Sequence, residues 1–272
     1  MNLSLFLYSL KSNRGGIIAW CVFLFIYALI MVYMLQSMQD IAELIAEYMD
    51  KFGTVVAIFA GEIGSILNPD GSISLGKWLS VEFLALWPVM MSIYAIFYAG
   101  GITAHEVERG TMDMLLSQPI PRHHIITSKF LVFPLAILAV AVACVIGILI
   151  GMAIIGNFSD IGGACLAFFP ALLIALAVAS YSLLFSCIFL DPRKVMLAAG
   201  SLTGLFYIFN ILARTVGPLK WLGNLSIFHY YEPGAIASGM NMNWLGIGIY
   251  LGIIVTCFVA SIYVFQRRDI VS

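Results

Sequence analysis

Residues 130–155 read FLVFPLAILAVAVACVIGILIGMAII, twenty-six consecutive positions with no charged, amide or hydroxyl side chain. At 1.5 Å per residue a helix of this length reaches about 39 Å, more than the ~30 Å hydrocarbon core of a bilayer. A surface helix of a water-soluble protein keeps one polar face, and this run has none. It therefore predicts a transmembrane helix.

Five further stretches share this character: about 16–35, 79–102, 163–190, 195–213 and 244–265. Between the third and fourth lies only GNFSDIG, residues 156–162, whose polar and glycine content reads as a tight hairpin rather than a continuing helix. The whole composition agrees. Hydrophobic residues make up 62% and charged residues 10%, where soluble domains carry roughly a quarter charged. The predicted fold is an all-α integral membrane protein, a single domain over 1–272 with six transmembrane helices. A net charge of -1 gives no basic surface, so no nucleic-acid partner is expected. The five cysteines (Cys21, Cys144, Cys165, Cys187 and Cys257) all lie in apolar runs without a CxxC spacing, which reads as small apolar filler rather than a disulfide framework or metal site. The run after Arg14 is about twenty residues long and lacks a small-x-small cleavage site, so it is expected to stay as an uncleaved first span.

Basic residues orient the chain. With the N-terminus inside, the inner segments hold Lys11, Arg14, Arg109, Arg122, Lys129, Arg193, Lys194, Arg267 and Arg268, against Lys51, Lys77, Arg214 and Lys220 outside. Nine against four predicts cytoplasmic N- and C-termini in a multi-pass membrane protein. In 1–15, Leu3, Phe6, Leu7 and Leu10 recur at helical spacing beside Lys11 and Arg14, which predicts a helix lying in the cytoplasmic interface. In 36–78, Met38, Ile41, Ile45, Tyr48, Phe52, Val55 and Phe59 form an apolar stripe opposite Asp40, Glu43, Glu47 and Asp50, an external amphipathic helix continuing from the first span. Residues 214–243, with Gly217-Pro218 and Glu232-Pro233, are too broken to cross the bilayer; they can dip in and return where protein covers their backbone.

The cytoplasmic stretch 104–129 reads AHEVERGTMDMLLSQPIPRHHIITSK. Ala104, Val107, Thr111, Met114 and Leu115 make one helical stripe, Gly110 interrupts it, and Thr111 is placed to restart a short helix that ends before Pro119. On periodicity alone an ordinary basic loop with an interfacial helix fits equally well. The residues themselves go further: Glu106 and Glu108, then Gly110, Thr111, Leu115, Leu116, Pro119, Arg122 and Lys129. They resemble the pattern E-x-x-G-T-x-x-x-L-L-x-x-P-x-x-R, followed by a Lys, of the ABC type-2 permease family, and residues 265–270 (FQRRDI) resemble that family's terminus. Six spans and this chain length match as well. Unlike many members, the chain has no large soluble insertion.

The resemblance implies a permease of a prokaryotic cell membrane that pairs with a second copy or a paralogue and docks two ATP-binding subunits. Segment 104–122 would couple to them, with the coupling helix at 111–118, an acidic approach at Glu106 and Glu108, and Met114, Leu115 and Leu116 as apolar anchors. Arg109 would belong to the same coupling set, Arg122 and Lys129 flank the entry to span three, and Arg193, in the short loop 191–194, would mark the second contact. ATP and magnesium would belong to the partner, with no cofactor or metal in this chain. Residues 214–243 would be the family's external re-entrant helices.

Catalysis by the chain itself finds no support in its motifs. GSISLGKW, residues 71–78, has P-loop spacing but puts Trp78 where a magnesium-binding hydroxyl is needed. His105-Glu106 starts a zinc motif, yet Arg109 stands where the second histidine belongs, and no G-x-S-x-G string occurs. Small-residue pairs Gly147/Gly151, Gly200/Gly204 and Gly248/Gly252 permit close helix packing within or between subunits. Because related permeases pair through their first and fifth spans, Gly200 and Gly204 are the dimer candidates. Pro88, Pro134 and Pro170 lie inside spans and predict kinks. Ser92, Tyr94, Tyr98, Tyr207 and Asn210 suit a passage wall and interhelical hydrogen bonding equally. A nearly uncharged interior gives a proton-driven carrier little to build on and favours an amphiphilic or apolar cargo for an exporter. A non-transporting anchor or sensor that docks an ATPase on the same fold remains the alternative.

Overall fold

Each apolar run folds as a helix, because without water every backbone N–H and C=O must be satisfied within its own segment. The computed structural model describes residues 3–60, 74–112, 117, 121–156, 161–239 and 241–267, with the backbone alone for 36–60. Its elements are α1 (Leu3–Ala60), α2 (Leu75–Leu79), a π-helical turn (Ser80–Leu84) and α3 (Trp87–Glu108). There follow α4 (Arg122–Phe130), α5 (Val132–Ile155), α6 (Gly162–Phe189) and α7 (Pro192–Thr215). A 3-10 helix (Gly217–Leu225), α8 (Pro233–Gly239) and α9 (Trp244–Arg267) are the last described elements, and no strand occurs among the described residues.

Among the described residues, six helical stretches are long and apolar enough to cross a membrane: Leu3–Leu35, Leu75–Glu108, Arg122–Ile155, Gly162–Phe189, Pro192–Thr215 and Trp244–Arg267. Six alternating crossings return the last helix to the end of the bundle where the first begins. We call this the terminal end, and the opposite one the far end.

Two boundaries differ from the sequence expectation. Residues 3–15 do not form a separate helix; α1 runs unbroken from Leu3 to Ala60. On its first turns Leu5 and Ser9 are the buried positions, while Leu3 and Leu7 of the expected stripe are exposed. Nothing in the sequence of this stretch stops a helix, since Gly15 and Gly16 lower helix propensity without breaking it. The backbone of 36–60 continues that helix, and its proposed apolar stripe lies outside the described side chains. The second span begins at Leu75 rather than 79, extends to Glu108, and is interrupted by the π-turn. Pro88 explains the interruption: it has no N–H to offer the Leu84 carbonyl, and its ring crowds that carbonyl in a regular helix. The Tyr231 hydroxyl donates to the Leu84 carbonyl instead, at 3.2 Å. Tyr231→Phe therefore strands a buried carbonyl and is expected to lower stability by about 1–3 kcal/mol, read as an earlier thermal unfolding of the purified protein.

Other ends follow local rules. Gly156 closes α5 in the left-handed region, at φ 72°. Asp191 caps α7 by accepting from the Arg193 amide at 2.9 Å, with Pro192 in the first turn. The hairpin residues 157–160 lie outside the described part.

α6 is the hub, packed against α3, α9 and α7, while α1 lies along α5. Aromatic rings fill the core near the far end, with Phe168 edge-on to both Trp87 and Phe83. The outside is apolar: Leu138, Val142 and Leu149 on α5, and Leu251, Val255 and Val259 on α9, are all exposed. Such continuous exposed stripes belong against lipid or another membrane helix, not water.

The three small-residue pairs sort by their surroundings. A Cβ on Gly147 would stand 2.8 Å from the Phe25 carbonyl oxygen, and one on Gly151 2.8 Å from Val32 Cβ, so this pair seats α5 on α1. Nothing lies within 4 Å of such an atom at Gly200, Gly204, Gly248 or Gly252. Gly147→Val is expected to destabilise by about 1–3 kcal/mol through overpacking against backbone. Gly248→Val should stay within about 0.5 kcal/mol, as for an ordinary surface change. Thermal unfolding of the two variants side by side checks both.

Candidate functional site

At the terminal end, the second span stops where its backbone turns. The Gly110 amide bonds the Val107 carbonyl and the Thr111 amide bonds the Glu106 carbonyl, each at 3.0 Å. Gly110 sits at φ 66°, a conformation that favours glycine. The turn throws Thr111 back along the helix, where its hydroxyl donates to the Glu106 carboxylate. The other Glu106 oxygen faces Lys129 Nζ at 2.5 Å. The Lys129 carbonyl in turn accepts from the Tyr98 hydroxyl at 2.8 Å. Glu106 and Lys129 are 23 positions apart, so their ion pair closes the neck of the loop between spans two and three.

The pair is largely enclosed, with side-chain exposures of 11% for Lys129 and 29% for Glu106. An enclosed ammonium or carboxylate needs a partner, and here each supplies the other while Thr111 occupies a further carboxylate lone pair. Beside the neck lies a cavity of about 180 Å³ whose lining includes Ser9 and Asn13 of α1, His105, Glu106, Arg109 and Lys129. One layer deeper, Ser186 of α6 bonds Thr103 side chain to side chain at 2.7 Å and accepts from the Ala104 amide at 3.1 Å. This fixes the end of α3 to the end of α6. The following loop turns at Leu190, with φ 55°, and Lys194 pairs with Asp191 at 3.7 Å. Val195 then packs its Cγ1 3.0 Å from where a Cβ on Gly100 would be, so the start of α7 rests on α3 inward of the neck.

The sequence-predicted coupling residues divide accordingly. Glu106, Gly110 and Thr111 meet at the neck. Arg109 is exposed on the cavity rim, and Glu108 turns to His105 at 3.3 Å. Arg122 opens α4 half-buried, and Arg193 is exposed on its loop. Met114, Leu115, Leu116 and Pro119 lie outside the described residues. Of the predicted stripe, Ala104 is buried and Val107 partly so, but Met112, which the stripe omits, is the buried residue beyond the turn. In the sequence Lys129 stands as the motif's closing lysine at the entry to span three. A readable signal for its larger role was its position against an apolar run, where a lysine needs a partner.

The five passage candidates do not line one path. Ser92 donates to its own helix, to the Pro88 carbonyl at 2.7 Å. Tyr98 is held by the neck and stacks on Phe133 with ring centres 5.6 Å apart. The Tyr94 hydroxyl is buried without a hydrogen-bond partner among the described residues, its ring beside Trp20 at 5.5 Å. Tyr207 and Asn210 are elsewhere, in a cavity of about 520 Å³ at the far end, between the start of the second span, the end of α7 and the segment leading into α8. Alternation along a helix mixes inward and outward positions, so polar residues from several spans need not converge.

A search of curated proteins finds no significant match. The family profile described as "ABC-2 family transporter protein" matches residues 6–270, nearly the whole chain. With six membrane-length helices and a tied loop between the second and third, the chain belongs to the ABC-2 family of transporter permeases.

Proposed function

We propose that the chain is the membrane-spanning subunit of an ATP-driven exporter, moving an amphiphilic or apolar cargo across a prokaryotic cell membrane. The terminal end faces the cytoplasm, and a separate ATP-binding subunit docks on the loop 104–122 and touches Arg193. Two permeases, identical or paralogous, work with two such ATPases, which hold the nucleotide and magnesium. The observation that carries this reading is the neck. Glu106, Thr111 and Lys129 bind the two ends of the loop into one unit continuous with spans two and three. A push on a loop clamped in this way moves both helices as a body instead of being lost in a slack connection. The exposed α7 face that carries Gly200 and Gly204, with Leu197, Leu205 and Ile208, supports pairing with a second permease. Residues 214–243 serve as a re-entrant cover at the outer side.

The test is purification of the tagged chain from membranes of its source organism under gentle detergent. A soluble ATPase recovered at near-equal amounts upholds the proposal. A chain recovered alone refutes the docking, and a bound ATPase without cargo-dependent turnover favours an anchor or sensor role instead.

A further inference from the structure

The far-end cavity presents opposite charges that do not neutralise each other. Glu82 from the π-turn, Glu232 ahead of α8 and Arg214 near the end of α7 all line it. Yet among the described residues no ion pair joins Arg214 to either carboxylate. The guanidinium is nevertheless held in place: its Nε donates to Asn210 Oδ1 at 3.1 Å and one Nη to the Tyr231 carbonyl at 3.3 Å. Two of five N–H groups are thus used, and the remainder are available to an anion. Tyr207 lines the same space, its ring set edge-on against Phe228 at 5.7 Å. Leu86 and Ile211 line it too and are themselves exposed, so the cavity opens onto the apolar outside of the bundle.

We propose that this cavity binds the phosphoethanolamine-type headgroup of an amphiphile whose hydrocarbon chain leaves past Leu86 and Ile211. An anionic headgroup would satisfy Arg214 but face two carboxylates, and a purely cationic one would leave Arg214 unmatched. A zwitterion meets both signs. A primary ammonium has three donors and can bridge two carboxylates, which a fully methylated one cannot do by hydrogen bonding. The phosphate takes the spare guanidinium N–H groups, the geometry at which arginine excels. A volume of about 520 Å³ lies within the usual range for small-ligand pockets and admits such a headgroup. Position agrees as well, because Arg214 is the penultimate residue of a membrane-length helix and so lies at headgroup depth. The assignment gives a chemical class to the amphiphile that the exporter reading invokes, and as a transport site it rests on that reading.

The test uses the full chain in detergent, titrated with phosphatidylethanolamine or phosphatidylglycerol of identical acyl chains, with bound lipid counted by native mass spectrometry. Half-saturation is expected at about tenfold lower phosphatidylethanolamine, the scale of one charge-assisted hydrogen bond. The double change Glu82→Gln/Glu232→Gln should abolish that preference, whereas Arg214→Gln should weaken binding of both lipids and Arg214→Lys should keep most of it. Equal binding of the two lipids by the unaltered protein overturns the proposal even if no variant folds, as does a preference that survives the loss of both carboxylates or undiminished lipid binding by Arg214→Gln. A bilayer lipid and a soluble cargo can carry the same headgroup. Displacement by soluble dihexanoyl phosphatidylethanolamine assigns the site to a soluble amphiphile, and resistance to displacement assigns it to bilayer lipid; both uphold the headgroup site. Co-purification of the ATPase is scored on the same preparations. Lipid preference without an ATPase sinks only the exporter reading, and an ATPase without lipid preference sinks only this site.

Discussion

Lys129→Met is expected to destabilise the protein and to disconnect ATP hydrolysis from transport at the same time. Removing the ammonium leaves the Glu106 carboxylate with the Thr111 hydroxyl and the more distant charge of exposed Arg109, in a place where it retains 29% side-chain exposure. Breaking a fully buried pair costs about 3–5 kcal/mol, and with this exposure about half of that is expected. Restoring neutrality should recover most of the stability, so Glu106→Gln/Lys129→Met should unfold later on heating than Lys129→Met alone. A double-mutant cycle on thermal unfolding measures this coupling. The functional loss should not recover, because the neutral pair no longer clamps the neck. In vesicles containing both subunits, transport per ATP hydrolysed is expected to fall by about tenfold or more in the single and the double variant, the loss that accompanies removal of about 1.4 kcal/mol of coupling. Additive stabilities, or normal transport per ATP in the double variant, would remove the neck from the mechanism.

The second large effect belongs to Leu115→Asp/Leu116→Asp, which should release the ATPase while leaving membrane insertion untouched. Both leucines sit in the loop whose ends the neck ties, between Thr111 and Pro119. In the proposed complex they are the apolar anchors of the coupling helix, and an interface anchor replaced by a charge commonly costs 2 kcal/mol or more, about thirtyfold in affinity. Two such changes should take co-purified ATPase from near-equal amounts to a trace. Insertion should be normal, since the loop is outside the apolar runs that direct it. Full retention of the ATPase would mean that the coupling helix lies elsewhere in the loop.

How far these sites were legible in the sequence varied with the kind of information each required. Helical spans could be read because the bilayer imposes a local rule, roughly twenty apolar residues in a row, and six runs obey it. Turns such as Gly110 and Asp191-Pro192 were readable for a similar reason, since their residue types meet a backbone need within a few positions. The pairing of Glu106 with Lys129 was not readable as a pair. Both residues appeared as members of a motif, but nothing in a separation of 23 positions says that the chain folds back to bring a carboxylate onto an ammonium. Nor did periodicity reveal that Met112, not its neighbour Thr111, would be buried past the turn, because Gly110 resets the helical phase.

By itself, then, the sequence determined the class of the protein, the number of its spans and the family to which it belongs. Each of these depends on short-range composition or on a contiguous motif. Only the tertiary structure decided which small-residue pair packs inside the chain, since Gly147/Gly151, Gly200/Gly204 and Gly248/Gly252 are alike until a neighbouring helix is placed beside one of them. It also decided that Tyr231 would serve the carbonyl left open by Pro88, and that Tyr207, Asn210 and Arg214 would share a cavity with Glu82 from a span far away in sequence. These are contacts between helices, set by how rigid cylinders meet in three dimensions, and the order of residues along one helix does not specify which face its neighbour will take.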